Sequence, residues 1–218
     1  MSKRLSKKSK KLRKMGMGSG VDYKPYITTS EFNSQGTTSV IRDWKTGRGV
    51  HCLSQGEMLL YYILRWDDTN IDIQEQFPLD FESTCSVAVS MNIHPPKDTM
   101  TTDMVVTKTN GDIIAYSVKA SNNLNRRQLE LLCIEKQYWL NKGAAYHLIY
   151  KNDLNKILAS NIRLVTEFYD SSYVFDTISA IKHKIAIKEI SIDMESQLID
   201  TGTLLSLLPM LTDINQRR

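Results

Sequence analysis

Cysteine is scarce in this chain. Cys52, Cys85 and Cys133 are an odd set, too widely spaced for a zinc knuckle or a redox pair, so no disulfide framework can be read from them. Histidine is equally thin: His51, His94, His147 and His183 have no partner at i, i+4, which argues against a zinc site on a helix. Metal chemistry in such a chain has to use oxygen ligands. Long apolar runs are missing too. None approaches the roughly 18 residues of a membrane span, and none of the roughly 7–15 that a signal peptide needs follows the basic N-terminus. The expectation is a cytoplasmic chain with no membrane partner, nucleoid-associated when on DNA. Internal repeats are also absent.

What is present is an ordinary globular composition, with 41% hydrophobic and 24% charged residues over a length of 218, enough for one large domain or a domain with a small appendage. The charge is uneven. Lys3, Arg4, Lys7, Lys8, Lys10, Lys11, Arg13 and Lys14 fall in a first segment with no acid, leaving 20 bases against 24 acids in the rest. Residues 1–20 therefore read as a basic flexible tail suited to phosphate backbones, where each neutralised phosphate releases counterions; the plainer alternative is a solubilising tail.

Residues 21–52 are polar and read as irregular. From Ser54, "SQGEMLLYYILRW" is apolar on most sides and predicts a buried helix. "NIDIQEQFPLDF" alternates as a strand until Pro78. "TTDMVVTKTNGDIIAYSVKAS" holds two strands joined around Asn110 and Gly111. A helix follows from about Leu124 to Asn141 with Gly143 at its C-terminal end, then the strand "AAYHLIY", then a helix over "LNKILASNIRLV" with Asp153 as a candidate cap. The order describes a mixed α/β sheet flanked by helices. Beyond residue 168 two further helical stretches form a small interaction region, so the expected division is 1–20, 21–168 and 169–218.

The chemistry concentrates at the end of the hairpin. Ser117 and Lys119 share a face with Ile113 and Ala115, which places a lysine at the end of an apolar row in need of an anion. A three-residue loop, Asn110 to Asp112, would set Asp103 opposite Lys119. A lysine and a carboxylate there, with a second carboxylate nearby, can hold Mg²⁺ against a phosphodiester, and the Val118 carbonyl offers a further oxygen. Glu57 is the candidate second carboxylate. It has a competing explanation, because Ser54-Gln55-Gly56-Glu57 fits the capping box, with Glu57 bonding the Ser54 backbone. Gln76 is placed to approach from the neighbouring strand. Arg126 and Arg127 open the helix after Lys119 and are candidates for phosphate contact, or for a solvated first turn.

Taken in order, "GVDYKPYITTSEF", "RGVHCLSQGEMLLYYILRW", "IDIQEQFPL", "TTDMVV", "YSVKAS", "LELLCIEKQYWLNKG" and "NIRLV" resemble the catalytic region of TnsA, the endonuclease subunit of heteromeric cut-and-paste transposases. The resemblance covers roughly residues 20–168. It implies a restriction-endonuclease-like fold with a two-Mg²⁺ site, open also to Mn²⁺, in which Glu57, Asp103 and Lys119 are catalytic. Glu57, Asp103 and the Val118 carbonyl would be ligands, and Ser117 would stand where related nucleases place an acid. It further implies double-stranded transposon ends as substrate, cut at the 5′ strands, with a TnsB-like DDE transposase and a TnsC-like ATPase as partners. A chain shorter than the prototype resembles the CRISPR-associated branch. Alternatives at this stage are a stand-alone restriction or repair nuclease and a non-catalytic scaffold for DNA and partners.

Overall fold

The structure, a computed structural model, describes residues 5–31 and 37–211, so Lys3 and Arg4 lie outside the described residues. The chain divides into two compact units, Met1–Leu154 and Asn155–Arg218.

The first unit contains α1 (Lys7–Leu12), a hairpin of β1 (Ser39–Arg42) and β2 (Gly49–Cys52), α2 (Gln55–Trp66), β3 (Asn70–Pro78), α3 (Phe81–Ser90), β4 (Thr101–Lys108), β5 (Ile113–Lys119), α4 (Arg126–Asn141) and β6 (Ala145–Tyr150). The main sheet runs β3-β4-β5-β6; its first three strands are antiparallel and β6 joins β5 in parallel through the crossover helix α4. One face packs Val105 and Ala115 against Tyr138 and Trp139 of α4. On the other lies α2, whose Leu59, Leu60, Tyr61, Tyr62 and Leu64 are buried, as its all-round apolar pattern predicts.

Three elements differ from the reading of the sequence. The β1–β2 hairpin lies in the stretch expected to be irregular. Its strands are too short to show alternation, and it is held by other parts of the chain: Tyr61 donates to Asp43 at 2.6 Å, Arg65 pairs with Asp43 at 2.9 Å, and Arg48 forks onto Glu75 at 2.7 and 2.8 Å. Helix α3 is unannounced because Phe81–Ser90 is rich in Ser, Thr, Val and Cys, weak helix formers. It forms because Asp80 caps it and because Val87 and Ala88 pack on Ile134. The β4–β5 loop is Thr109–Gly111 rather than Asn110–Asp112, closed by the Lys108 N–H on the Asp112 carbonyl at 2.9 Å, with Gly111 at φ 87° supplying the left-handed last position. The register is Met104↔Tyr116, so Asp103 falls beside Ser117 and not opposite Lys119.

Nor do residues 5–20 trail as a flexible tail. Lys10 in α1 is buried and pairs with Glu31 at 2.9 Å. Residues 16–26 lie along the outer edge of β3, covering backbone that would otherwise be an open strand edge.

The second unit packs α5 (Lys156–Thr166), α6 (Thr177–Ala186) and α7 (Thr201–Ser206) around Ala159, Ile162, Val165, Ile181, Ile185 and Leu204. Asn155, not Asp153, caps α5. Because α5 buries its apolar face against α6, the compact division falls ahead of residue 168. Asn161 pins the irregular segment before α7, donating to the Met194 and Gln197 carbonyls and accepting from the Ile199 N–H. Among the described residues no helix is long and apolar enough to cross a membrane.

Candidate active site

Strict alternation along β3 would send Glu75 and Phe77 to the same face. They do not go there: Arg48 grips the Glu75 carboxylate, whereas the Phe77 ring lies 5.7 Å from Trp139 on the α4 side. Between them Gln76 takes φ 50°, a left-handed conformation uncommon for a residue with a side chain. The neighbouring strand changes face at the same level. Val105 and Thr102, three positions apart, both meet Trp139, the first by packing and the second by accepting its indole N–H at 2.8 Å. Asp103 sits at that switch.

A cavity of about 680 Å³ opens there, and its walls include Glu57, Gln76, Thr101, Asp103, Val118, Lys119 and Lys151. Three elements thus bring Glu57, Asp103 and Lys119 together. Asp103 Oδ2 accepts the Val118 N–H at 2.7 Å and lies 3.8 Å from the Lys119 ammonium. The carboxylate takes a backbone group that the diverging strands no longer pair. Asp103 Oδ1 has no hydrogen-bond partner among the described residues. Lys119 is tolerated at the end of an apolar row because the strand end leaves its side chain partly exposed and beside this anion.

Glu57 caps its helix and also lines the cavity. Its Oε1 accepts from the Ser54 hydroxyl at 2.9 Å; its Oε2 accepts from the Leu53 N–H at 2.9 Å and the Gln76 amide at 3.1 Å. The backbone bond goes to Leu53, one residue earlier than the capping box expects. Burial, then the charge of Asp103, pushes Glu57 up to about 8 against the opposing pull of those hydrogen bonds. Gln76 is fixed at both ends of its amide, since its Oε1 accepts from Thr101 at 3.1 Å.

Ser117 does not face this cavity. It is buried on the α4 side, donating to Glu135 Oε1 at 2.7 Å. Glu135, unremarked in the sequence, also accepts from Thr102 at 2.6 Å and from the Tyr146 hydroxyl at 3.3 Å. Burial and then Asp103 push it up to about 7, while Lys119 acts in the opposite direction. A signal for it existed: in "LLCIEKQYW" the acid falls at helical spacing between Leu131 and Tyr138–Trp139, inside an apolar stripe where a charge needs partners. Lys151 was missed as well. It reaches the cavity wall from the turn after β6, far from the hairpin in sequence.

The candidate DNA contacts separate into two groups. Arg127 bonds Glu130 and the carbonyls of His94 and Pro95 and is engaged internally, whereas Arg126 pairs with Glu130 at 2.9 Å across one helical turn and stays exposed. Lys7 lies 3.6 Å from Asp98, Lys10 is the buried anchor, and Lys8, Lys11, Arg13 and Lys14 are exposed.

Among the described residues no three His, Cys, Asp or Glu side chains form a metal cluster. The acids on the cavity are the two carboxylates of Glu57 and Asp103, with Val118 lining the same wall and no His or Cys among the lining residues, so the ligands offered are oxygens. Mg²⁺ takes one or two carboxylates and keeps its waters, so the set fits it. The raised Glu57 carries the same message, because two acids lie together with only a partly exposed lysine beside one of them.

Residues 67–151, from just after α2 to just past β6, match the family described as TnsA-like endonuclease N terminal. The window contains Asp103, Val118, Lys119 and Glu135 but not Glu57. The chain is similar to the Transposon Tn7 transposition protein TnsA of Escherichia coli, 32% identical over 155 residues that make up 67% of this chain and 57% of that protein. The aligned region spans little more than half of the relative. A mixed sheet with one parallel strand, a crossover helix on one face and an acid–lysine cavity at the strand ends agree with those matches, and the chain belongs to the TnsA-like endonuclease family with its restriction-endonuclease-like α/β fold.

Proposed function

We propose that the chain is the DNA endonuclease subunit of a cut-and-paste transposase, hydrolysing phosphodiesters at the 5′, non-transferred strands of transposon ends. The observation that supports it is the convergence of Glu57, Asp103 and Lys119, from α2, β4 and β5, on one open cavity. In this reading Glu57, Asp103 and the Val118 carbonyl would hold Mg²⁺. Bound there, the ion would lower the pKa of a water and offset phosphate charge.

The chain's own groups have distinct tasks. Gln76 and the Leu53 N–H orient Glu57, and the Val118 N–H orients Asp103. Lys119 supplies a compact positive charge to the scissile phosphate as its charge grows, and Lys151 lines the same cavity. Exposed bases near the N-terminus meet phosphates of the same duplex. The name of the Escherichia coli relative supports a role in transposition. A TnsB-like transposase cutting the 3′ ends, a TnsC-like ATPase and a cytoplasmic, nucleoid-bound location complete the proposal.

Strand-resolved mapping of breaks at a transposon end, with the transposase partner present, tests it. The expected result is loss of 5′-strand breaks in Asp103→Asn with 3′-strand breaks retained. Unchanged double-strand excision in Lys119→Ala would refute the assignment.

A further inference from the structure

The N-terminal bases are tethered in a way that a tail would not need. Lys10 is almost fully enclosed. Its ammonium pairs with Glu31 at 2.9 Å, donates to the Tyr26 carbonyl and sits 4.3 Å from the centre of the Tyr26 ring. Glu31 is itself organised for this: it accepts the Leu5 N–H at 3.1 Å and the Thr28 hydroxyl at 3.2 Å. Burial pushes its carboxyl up, but the Lys10 and Leu5 hydrogen bonds outweigh that and leave it below the ordinary value.

The segment after α1 is fastened to β3 at successive points. The Gln74 amide donates to the Gly18 carbonyl at 2.9 Å, the Gly20 N–H to Asp72 at 3.2 Å, the Tyr23 hydroxyl to the Glu75 carbonyl at 2.9 Å, and the Tyr26 N–H to the Gln76 carbonyl at 3.2 Å. At Gly16, with φ 77°, an added Cβ would stand 2.3 Å from Pro78, so the strap lies closer to the strand than any side chain permits. The last of those bonds falls on Gln76, whose amide holds Glu57, and the next residue, Ile27, is part of the cavity wall.

We propose that residues 5–31 are a docked clamp. The Lys10–Glu31 anchor fixes α1 and the turn after it as a platform on which Lys8, Lys11, Arg13 and Lys14 meet the phosphates of duplex DNA beside the cavity, at a set distance from the cut. This inference rests on the reading of the cavity as a DNA-cutting site. A pre-organised platform binds more tightly than the same charges on a loose chain, because the ordering of the segment is already complete. A tail and a clamp therefore differ in what a neutral disruption does.

The test is binding of the full chain to a short fluorescent duplex by anisotropy, without metal, over a salt series. Changing Lys8, Lys11, Arg13 and Lys14 together to Gln should lower the slope of log affinity against log salt by about 0.9 for each phosphate released. Glu31→Gln leaves every base in place and adds one unit of positive net charge. The clamp expects binding about tenfold weaker; a tail expects binding equal or tighter. Gly16→Val, which lifts the strap from Pro78 without touching any charge, should weaken binding in the same way, and it decides the matter where melting curves show that Glu31→Gln does not fold. Equal or tighter binding in the folded variant, or an unchanged slope in the four-base variant, overturns the clamp. Cutting by the wild-type chain in Mg²⁺ is read separately by strand mapping, so failure of the nuclease reading appears in a different assay from this metal-free binding.

Discussion

Metal-free protein should lose stability as pH rises, and Glu57→Gln should remove most of that loss. Burial and Asp103 hold the Glu57 carboxyl up to about 8, against an ordinary value of 4.5. Between those values the folded state keeps a proton that the unfolded chain has released, so the stabilisation is complete below the lower value and disappears through the upper one. At about 1.4 kcal/mol per unit, the total is roughly 3–5 kcal/mol, or a fall in melting temperature on the order of 10 °C for a chain of this size. Gln retains the shape: its carbonyl can accept from Leu53 and Gln76 while its amide donates to the Ser54 hydroxyl. Melting curves in EDTA from pH 5 to 9 should therefore slope downward in wild type and be flatter in Glu57→Gln, with Glu135, held up to about 7, leaving a residual slope in both. Mg²⁺ should restore more stability at pH 8 than at pH 6 in wild type and little in the variant, because the ion competes with the proton for Glu57. Parallel curves for the two proteins in EDTA would refute the account of Glu57 as a buried acid forced beside Asp103.

Other outcomes follow from the same geometry. Asp103→Asn should abolish Mg²⁺ binding by calorimetry along with cleavage, whereas Lys119→Ala should slow cleavage on the order of 100-fold and leave Mg²⁺ binding in place, since the lysine acts on phosphate. Ser117→Glu would force a second acid against buried Glu135, so it should destabilise by about 2–4 kcal/mol in a denaturant titration and leave Mg²⁺ affinity without gain. Gly56→Ala places a Cβ 2.7 Å from Val118 Cγ1, and overpacking there should cost about 1–3 kcal/mol while displacing Val118, read as lower melting temperature and reduced cleavage together.

How far the sequence reaches is clearest at single residues. Periodicity was sufficient for α2, β3, the β4–β5 pair, α4 and β6, because each is long enough for one face to declare itself, and Gly143 marks the end of α4 as expected of a left-handed C-terminal position. The identities of Glu57, Asp103 and Lys119 as a candidate set were legible from the hairpin and from the order of blocks shared with a known family. Their convergence was not. It depends on Gln76 turning left-handed and on β4 changing face at Asp103, and strand alternation read from sequence cannot contain a reversal produced by neighbours. The same limit explains Ser117, which shares a row with Lys119 in sequence yet bonds Glu135 on α4. Composition marked residues 1–20 as a strongly basic segment of eight bases and no acid, because charge adds along a chain without regard to fold. Only tertiary structure decided that one of them, Lys10, is a buried anchor, because burial of an ammonium requires an acid and a carbonyl brought from sixteen or more residues away.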